Sequence, residues 1–231
     1  MGKLTRPRFL IMYALVPLVF LLASSSGKQF RIGIPVVCLG FFIRIWANGY
    51  VGHQKVNVSG QEQRKTGRLI TAGPYAYVRH PLYVGTFLIA IGIGIIVGQP
   101  LLVIAAFISL AWIYQRKMLE EEKTLAEECG EAFIRYHDAV RRWVPRLMRY
   151  CDRHGEWSWQ GIAASKEWKT VIWVTVFLIM LYLRKELWQE RAGFTENNSK
   201  RLLVFSLIAV LLASTDGIIE LFRIRRRLKG A

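Results

Sequence analysis

Two groups of polar side chains in the middle of the chain have residue types suited to chemistry on a small charged ligand. The first lies within residues 71–85, where Arg79 and His80 directly precede Pro81. Gly73-Pro74 predicts a turn, and proline in a first helical turn predicts a helix from Pro81. A helix amino terminus attracts anions, an arginine suits a carboxylate, and a histidine donates or accepts near neutral pH. We therefore expect either a binding site here or, more simply, a basic anchor at a membrane boundary.

The second group centres on the adjacent carboxylates Glu121 and Glu122. Successive helix residues point about 100° apart, so one carboxylate can face packed helices while the other faces solvent. A carboxylate in a pocket can accept from hydroxyl or ammonium groups, stabilise a nearby cation or take up a proton. The alternative is a solvated acidic patch, because four further glutamates lie close by in sequence: Glu120, Glu127, Glu128 and Glu131.

The composition indicates which elements must position these groups. The 231 residues are 53% hydrophobic, yet the formal net charge is +16. A membrane protein combines these features, with apolar spans in lipid and cations in the loops. A nucleic-acid-binding protein would instead interleave its cations through soluble structure, so no nucleic acid is expected. The three cysteines and four histidines show no ligand spacing, and we expect no metal site.

Apolar runs suggest an all-α fold, a polytopic membrane bundle of about six transmembrane helices. A span needs about 20 residues to cross a ~30 Å hydrocarbon core, and the runs reach that length with their flanking Tyr, Trp and Ser residues. The first run has features of a cleavable signal peptide, but the short Ser/Gly loop after it favours a retained helix. The runs lie at about 9–23, 32–46, 82–97, 100–113, 168–183 and 202–222.

The segments between these runs predict a topology. Gly98-Gln99-Pro100 is short enough only for a tight helical hairpin, and Gly92 and Gly94 suit close helix packing. The positive-inside rule favours a multi-pass integral membrane protein with both termini cytoplasmic. The cytoplasmic segments are then 1–8, 47–80, 115–167 and 223–231.

The long segment 115–167 is expected to form an amphipathic helical cap rather than a span. Its apolar residues recur at spacings near three and four among charges, which is typical of an amphipathic helix. We expect an interruption near Cys129-Gly130 and an end before Pro145. Such a helix can lie on the membrane surface or cap the bundle.

The order of these motifs resembles one family of membrane enzymes. Thr71-x-Gly-Pro-Tyr-x-x-Val-Arg-His-Pro-x-Tyr-x-Gly85 precedes Glu-Glu-x-x-Leu125, Gly130, Tyr136 and Val140-x-Arg-x-x-Pro145. This pattern is similar to the isoprenylcysteine carboxyl methyltransferase and phospholipid methyltransferase family. The resemblance implies an enzyme without a Rossmann fold that binds S-adenosylmethionine between membrane helices and a cytosolic cap. Cys129, Phe133 and Arg141 depart from the residues that are frequent in the family.

The resemblance also implies roles for individual residues. It places Glu122 and Arg142 in catalysis, with Glu122 as a base for an amine or thiol and Arg142 orienting a carboxylate. Residues 1–150 would form the methyltransferase core, with its motifs at 71–145, and 151–231 a cytosolic linker plus two further membrane helices. The implied cofactor-binding residues are Arg79, His80, Tyr83, Gly85, Glu121 and Glu122.

Several questions about the acceptor and the reaction class stay open. The partners implied are membrane lipids and a lipophilic or small methyl acceptor: a prenylcysteine-like carboxylate, a lipid amine or a thiol. The oligomeric state is not predicted. Membrane sterol reductases that use NADPH have a similar Arg-His-Pro-x-Tyr-x-Gly string, but the Glu pair with Val140-x-Arg-x-x-Pro145 favours a methyltransferase. A non-catalytic lipid-binding membrane protein is the third alternative.

Overall fold

The computed structural model describes residues 19–57, 69–165, 167–189, 200, 203–208, 210–211 and 214, and its regular elements there are all helical. This confirms the all-α class. The helices are α1 (Gly27–Asn57), α2 (Pro81–Val97), α3 (Pro100–Cys129), α4 (Glu131–Ala139), α5 (Trp159–Ser165) and α6 (Glu167–Arg184). A short 3-10 helix, Gly73–Ala76, precedes α2, and a π-helical turn, Lys185–Gln189, follows α6.

Among the described residues, two helices, over Gly27–Val51 and Pro100–Cys129, are long and apolar enough to cross a membrane. Only 6% of the apolar window of α3 is buried inside the protein, which distinguishes it from the core helix of a soluble domain. Its exposed apolar residues, such as Leu101 and Ile108, are therefore suited to lipid. The chain is accordingly a membrane protein. Six spans stay a prediction, because the runs at 9–23 and 202–222 lie largely outside the described residues.

The chain divides into two compact units. One comprises Ile32–Gly94 and Pro100–Glu167 and contains the motif residues, and we call it the site unit. The other comprises Ile95–Gln99 with what is described of Met1–Arg31 and Trp168–Ala231. The division at residue 150 stays a prediction.

The α2–α3 connection is the tight hairpin that the sequence predicts. Helix α2 ends at Val97 and α3 begins at Pro100, with Gly98 at φ +68°. Glycine adopts this backbone conformation without the steric cost that a side chain would add. The Ser24 backbone N–H donates to the Val97 carbonyl at 2.8 Å, and its hydroxyl donates to the Gly98 carbonyl at 3.1 Å. These bonds satisfy carbonyls that a helix end leaves free.

Helix α3 continues well past its apolar part. Its 30 residues correspond to a length of about 45 Å, so its charged carboxyl-terminal half extends beyond residues 100–113. The predicted interruption is confirmed, because α3 ends at Cys129 and Gly130 has φ +54° before α4 begins. Helix α4 ends at Ala139, before Pro145 as expected. The helical part of the predicted cap is thus the end of α3 together with α4.

Within the site unit, α1 and α2 approach closely through small residues. A Cβ on Gly40 would lie 2.7 Å from the Gly85 carbonyl oxygen, closer than real contacts allow. A Cβ on Gly92 would lie 2.7 Å from the Gly33 carbonyl oxygen. Missing side chains therefore let the two backbones meet. The packing role expected for Gly92 is confirmed, and Gly94 packs against Val103 of α3 in the same way.

The string before α2 is held in place by α4 and by the chain that follows it. The Tyr136 hydroxyl donates to the Tyr75 carbonyl at 2.7 Å, and the Thr71 backbone N–H donates to the His154 carbonyl at 2.9 Å. Burial raises the pKa of Tyr136, so its phenol stays a donor. Tyr136 also packs with Phe133 and Val140 in a buried apolar cluster. The fold thereby presents Arg79 and His80 at a defined position before α2.

Candidate functional site

The two polar groups that the sequence singles out meet around one carboxylate. Glu122, on α3, is 7% exposed. Arg142 donates from Nε to Glu122 Oε1 at 3.0 Å and from Nη2 to Oε2. His80 Nε2 lies 3.0 Å from the same Oε1, and Arg79 Nη1 lies 2.9 Å from it. Residues that directly precede α2, a residue on α3 and a residue that follows α4 therefore form one cluster.

These contacts determine what Glu122 can do. Two arginines and a histidine surround its carboxylate, and cationic donors favour the ionised form. A carboxylate held this way is a weak base, because accepting a proton would cost these charge-assisted bonds. The arrangement suits an anion that orients Arg142 and His80 more than a group that removes a proton from an acceptor. The predicted catalytic roles of Glu122 and Arg142 stay predictions.

Arg79 is a buried cation with unused donors. Its side chain is 9% exposed, and within the described part of the chain neither Nε nor Nη1 forms a hydrogen bond, although Nη1 lies close to Glu122. Burial lowers the pKa of Arg79, and the Glu122 carboxylate opposes that shift. A buried guanidinium with free N–H groups is costly unless something accepts from it. These donors therefore suit an anionic group of a ligand.

Glu121 differs from its neighbour, as the helix geometry predicts. Its side chain is 44% exposed, whereas that of Glu122 is 8% exposed. The Tyr83 hydroxyl donates to Glu121 Oε1 at 2.6 Å, and His80 Nδ1 lies 3.8 Å from Oε2. A carboxylate has about four lone-pair positions, so most of its acceptor capacity remains available. Glu121 is the carboxylate of the pair that a ligand can reach.

Aromatic rings line the side of the cluster nearest the apolar helices. The Tyr83 ring lies 4.9 Å from that of Tyr114 and 5.6 Å from that of His80. The Phe87 ring lies 5.9 Å from Tyr114 and 4.9 Å from Trp143. Trp143 directly follows Arg142, so one short segment supplies both a cation and an apolar wall. The arrangement joins charged donors to a surface suited to a flat or apolar ligand.

Gly85 has surroundings that the sequence did not indicate. A Cβ there would lie 2.5 Å from Arg44 Cγ and 2.7 Å from the Gly40 carbonyl oxygen. The absent side chain therefore makes room for α1. Its role in binding a cofactor stays a prediction, while its packing role is visible in the structure.

An ion pair on the other side of Gly85 was missed by the sequence analysis. Arg44 donates from Nε to Glu167 Oε2 at 3.0 Å, and its Nη2 pairs with Oε1. Arg44 Nη1 donates to the Leu82 carbonyl at 3.2 Å and to the Thr86 hydroxyl. A lone arginine within the apolar run 32–46 was the available signal, since charges inside spans are costly and are usually partnered. Glu167 carried no comparable signal.

Comparison with known proteins links this region to methyltransferases. Residues 29–132 match a family model described as phospholipid methyltransferase. A protein-S-isoprenylcysteine O-methyltransferase of Schizosaccharomyces pombe is 28% identical over 141 residues, covering 61% of this chain and 55% of that protein. The Homo sapiens protein of the same name is 29% identical over 113 residues, covering 49% and 40%. No solved structure matches.

A relative with a different name is similar to a comparable extent. The cobalt-zinc-cadmium resistance protein CzcN of Cupriavidus metallidurans is 30% identical over 134 residues, covering 58% of this chain and 56% of that protein. The chain spans about half the length of the curated relatives it matches. The region that the family model matches, residues 29–132, includes the Glu pair and the string before α2.

Fold and site together define a helical membrane protein with a charged cluster at the mouth of α2. Residues 29–132 are similar to the phospholipid methyltransferase family model, and the chain is similar to several protein-S-isoprenylcysteine O-methyltransferases. This confirms the resemblance carried by the sequence motifs. The family model ends at residue 132, so Arg142 and Glu167 lie outside the matched region although they contact residues within it.

Proposed function

We propose that the protein is an S-adenosylmethionine-dependent membrane methyltransferase whose acceptor is lipophilic or small. The observation that carries the proposal is the convergence of Arg79, His80, Glu122 and Arg142, with Glu121 accessible beside them. Arg79, His80, Glu121 and Glu122 lie within the region that the phospholipid methyltransferase family model matches.

The chemistry of the donor set fits S-adenosylmethionine. The Nε–H group of Arg79 would donate to its carboxylate, and Glu121 would accept from its ribose hydroxyls or its ammonium group. Tyr83 and Tyr114 would supply apolar contact beside Glu121. When bound, the cofactor supplies an electrophilic methyl group on a sulfonium.

The protein's own part in the reaction is binding, orientation and exclusion of water. Transfer in line requires the acceptor atom to be held against the methyl group, which is a matter of positioning. Arg142 is 23% exposed and is held by Glu122, so it can contact an acidic acceptor while its orientation is maintained. Trp143 and Phe87 exclude water from the same side. A carboxylate acceptor needs no base, which agrees with the weak basicity of Glu122.

The acceptor classes remain a prenylcysteine-like carboxylate, a lipid amine or a thiol. The name of several relatives, protein-S-isoprenylcysteine O-methyltransferase, favours the first. Exposed apolar residues on α3 and the charged cluster at the start of α2 support an acceptor that has both an apolar and a polar part. We also propose that the site faces the cytosol, with several spans and both termini cytoplasmic, on the positive-inside argument.

A binding experiment tests the cofactor directly. S-adenosylmethionine and NADPH are titrated by calorimetry into the detergent-purified protein and into its His80→Ala and Glu121→Ala variants. We expect S-adenosylmethionine to bind the parent and to bind each variant roughly tenfold more weakly or worse, about 1.4 kcal/mol or more. Glu120→Ala is the matched control, because Glu120 is adjacent and exposed.

The outcomes separate the reaction classes. A folded parent protein that binds no S-adenosylmethionine would refute the proposed function. Binding of NADPH instead would favour a reductase. If S-adenosylmethionine binds, methyl transfer to extracted lipids, prenylated cysteines and small thiols then identifies the acceptor.

A further inference from the structure

The segment between α4 and α5 has a composition that its place in the site does not explain. Residues 139–151 contain four arginines and no acidic residue. Three large apolar side chains here are exposed: Val144 at 57%, Leu147 at 102% and Met148 at 80%. Bare apolar side chains among cations are unfavourable in water but are typical of a surface that lies in a membrane interface.

The backbone of this segment is held in place by hydrogen bonds. The Arg79 backbone N–H donates to the Arg141 carbonyl at 2.9 Å, and that of Arg146 donates to the Tyr77 carbonyl at 2.9 Å. The backbone N–H of Tyr150 donates to the Ala76 carbonyl, also at 2.9 Å. These bonds anchor both ends of the segment to the string before α2. The apolar side chains between them are therefore presented outward by a defined backbone.

The depth of the segment follows from Trp143. Its ring lies 4.9 Å from that of Phe87, which in turn lies 5.1 Å from that of Phe107. Phe107 is in the apolar part of α3, at residues 100–113, which has the length and composition to lie in hydrocarbon. The segment thus lies near the boundary between the apolar part of α3 and its charged carboxyl-terminal half. Leu147 and Met148 follow shortly after this contact.

The arginines of the segment are not all used within the protein. Arg142 is held by Glu122, and Arg146 donates to the Ala139 carbonyl. Among the residues that the structure describes, Arg141 and Arg149 form no ion pair with an acid, and both are exposed. Cations beside exposed apolar groups complement a negatively charged lipid surface.

We propose that residues 141–149 form a membrane anchor that docks on a leaflet containing anionic lipids. Val144, Leu147 and Met148 insert at the boundary between headgroups and acyl chains, and Arg141 and Arg149 contact lipid phosphates. Because Arg142 of the same segment contacts Glu122, the leaflet would lie directly beside the site. Delivery of a lipid-borne acceptor to the site rests on the proposed function, whereas insertion of the segment does not.

Site-specific quenching tests the insertion. Leu147→Cys and Met148→Cys are made in a protein whose three native cysteines are replaced by serine, labelled with an environment-sensitive fluorophore, and placed in nanodiscs. The nanodiscs contain phosphatidylcholine and phosphatidylglycerol, with or without acyl-brominated lipid. Ile134→Cys is the matched control, because Ile134 is apolar and 56% exposed but lies between Glu131 and Asp138 on α4.

We expect bromine to quench the labels at 147 and 148 several-fold more than the label at 134. Quenching at 147 should fall when phosphatidylglycerol is omitted and in the Arg141→Gln/Arg149→Gln variant. Equal quenching at 147 and 134, or none at 147, overturns the proposal. Shielding of 147 that depends on protein concentration and not on brominated lipid also overturns it, since a second copy of the chain would then cover the segment.

The same nanodiscs distinguish this proposal from the proposed function. S-adenosylmethionine is titrated into them in parallel. Quenching at 147 without cofactor binding would refute the methyltransferase and leave the anchor standing. Cofactor binding without quenching at 147 would refute the anchor and leave the methyltransferase standing.

Discussion

At the scale of single residues, the site is organised by the difference between two adjacent carboxylates. Glu122 is buried among Arg79, His80 and Arg142, and its acceptor positions are occupied by the protein. Glu121 is half-buried and has one strong donor, the Tyr83 hydroxyl at 2.6 Å. The first carboxylate orients cations, and the second is available to a ligand. Two predictions follow from this difference.

The first prediction concerns the buried charge. Glu122→Gln removes the anion that offsets the buried Arg79 and the partly exposed Arg142, leaving both guanidinium groups facing a neutral amide. Losing one partner of a buried ion pair costs about 3 kcal/mol. We expect that loss in the free energy of unfolding, measured by denaturant titration in detergent. Glu120→Gln should change it by less than about 0.5 kcal/mol, because Glu120 is exposed. Equal stability of the two variants would contradict the role given to Glu122.

The second prediction concerns ligand affinity. Tyr83→Phe removes the hydrogen bond to Glu121 but keeps the ring that packs on Tyr114. A hydrogen bond to a charged group is worth about 1.5–3 kcal/mol. We expect S-adenosylmethionine to bind roughly tenfold more weakly by calorimetry, because Glu121 loses the donor that orients it. Tyr77→Phe is the control, and an identical loss of affinity in both variants would argue against a specific Tyr83–Glu121 contact.

At the scale of the elements, α1 is the support of the site. It meets α2 through Gly40 and Gly85, and its Arg44 binds the Leu82 carbonyl and the Thr86 hydroxyl in the first turns of α2. Arg44 is held in turn by Glu167 at the start of α6. The turn that carries Tyr83 is thus braced from the side of α2 that faces α1. Two further predictions test this support.

The third prediction concerns helix packing. Gly40→Ala places a Cβ 2.7 Å from the Gly85 carbonyl oxygen, so the two backbones must separate. Overpacking of this kind costs about 1–3 kcal/mol, from which the better helix propensity of alanine recovers up to about 1 kcal/mol. Unfolding in detergent should show a net loss of stability. Gly27→Ala, where a Cβ would meet nothing within 4 Å, should show none.

The fourth prediction concerns the Arg44–Glu167 pair. Arg44→Met and Glu167→Gln, alone and together, form a double-mutant cycle on the free energy of unfolding. Their side chains are 17% and 8% exposed, and we expect a coupling energy of about 1–3 kcal/mol. The exposed pair Lys123–Glu127, at 4.0 Å, should give about 0.3 kcal/mol. Additive effects of Arg44→Met and Glu167→Gln would show that the pair does not brace α2.

At the scale of the whole molecule, charge and hydropathy are segregated along the chain. Two helices have the length and composition of spans, while the charged end of α3 and the segments around it carry the site. The net charge of +16 therefore belongs mainly to segments outside the apolar helices. One prediction concerns which side of the membrane these segments occupy.

The fifth prediction uses the exposed thiol of Cys151. In a protein with Cys38 and Cys129 replaced by serine, a membrane-impermeant maleimide should label Cys151 only after right-side-out vesicles are permeabilised. Gln99→Cys in a fully cysteine-replaced protein should be labelled in intact vesicles, because the proposed topology puts the hairpin turn on the other side of the membrane. The reverse pattern would invert the proposed topology, and labelling of both sites from outside would refute a span between them.

Local signals in the sequence were sufficient for several features. Proline and glycine marked the start of α2, the hairpin at Gly98 and the break at Gly130, because their effects on the backbone act on immediate neighbours. The angular separation of successive helix residues likewise predicted that one of Glu121 and Glu122 would be buried. The family motifs indicated which residues would lie together, but not their partners.

The tertiary structure decided the contacts between residues far apart in the chain. Glu167 lies 123 residues from Arg44, and although a lone arginine in an apolar run indicates that some partner exists, no local pattern identifies Glu167 as that partner. Gly85 likewise packs against α1, and cationic side chains surround Glu122. Among the described residues, Nε and Nη1 of Arg79 form no hydrogen bond. Helix boundaries depend on neighbouring residues and can be predicted from sequence. The charge state and accessibility of a side chain depend on what packs around it, and only the folded chain determines that.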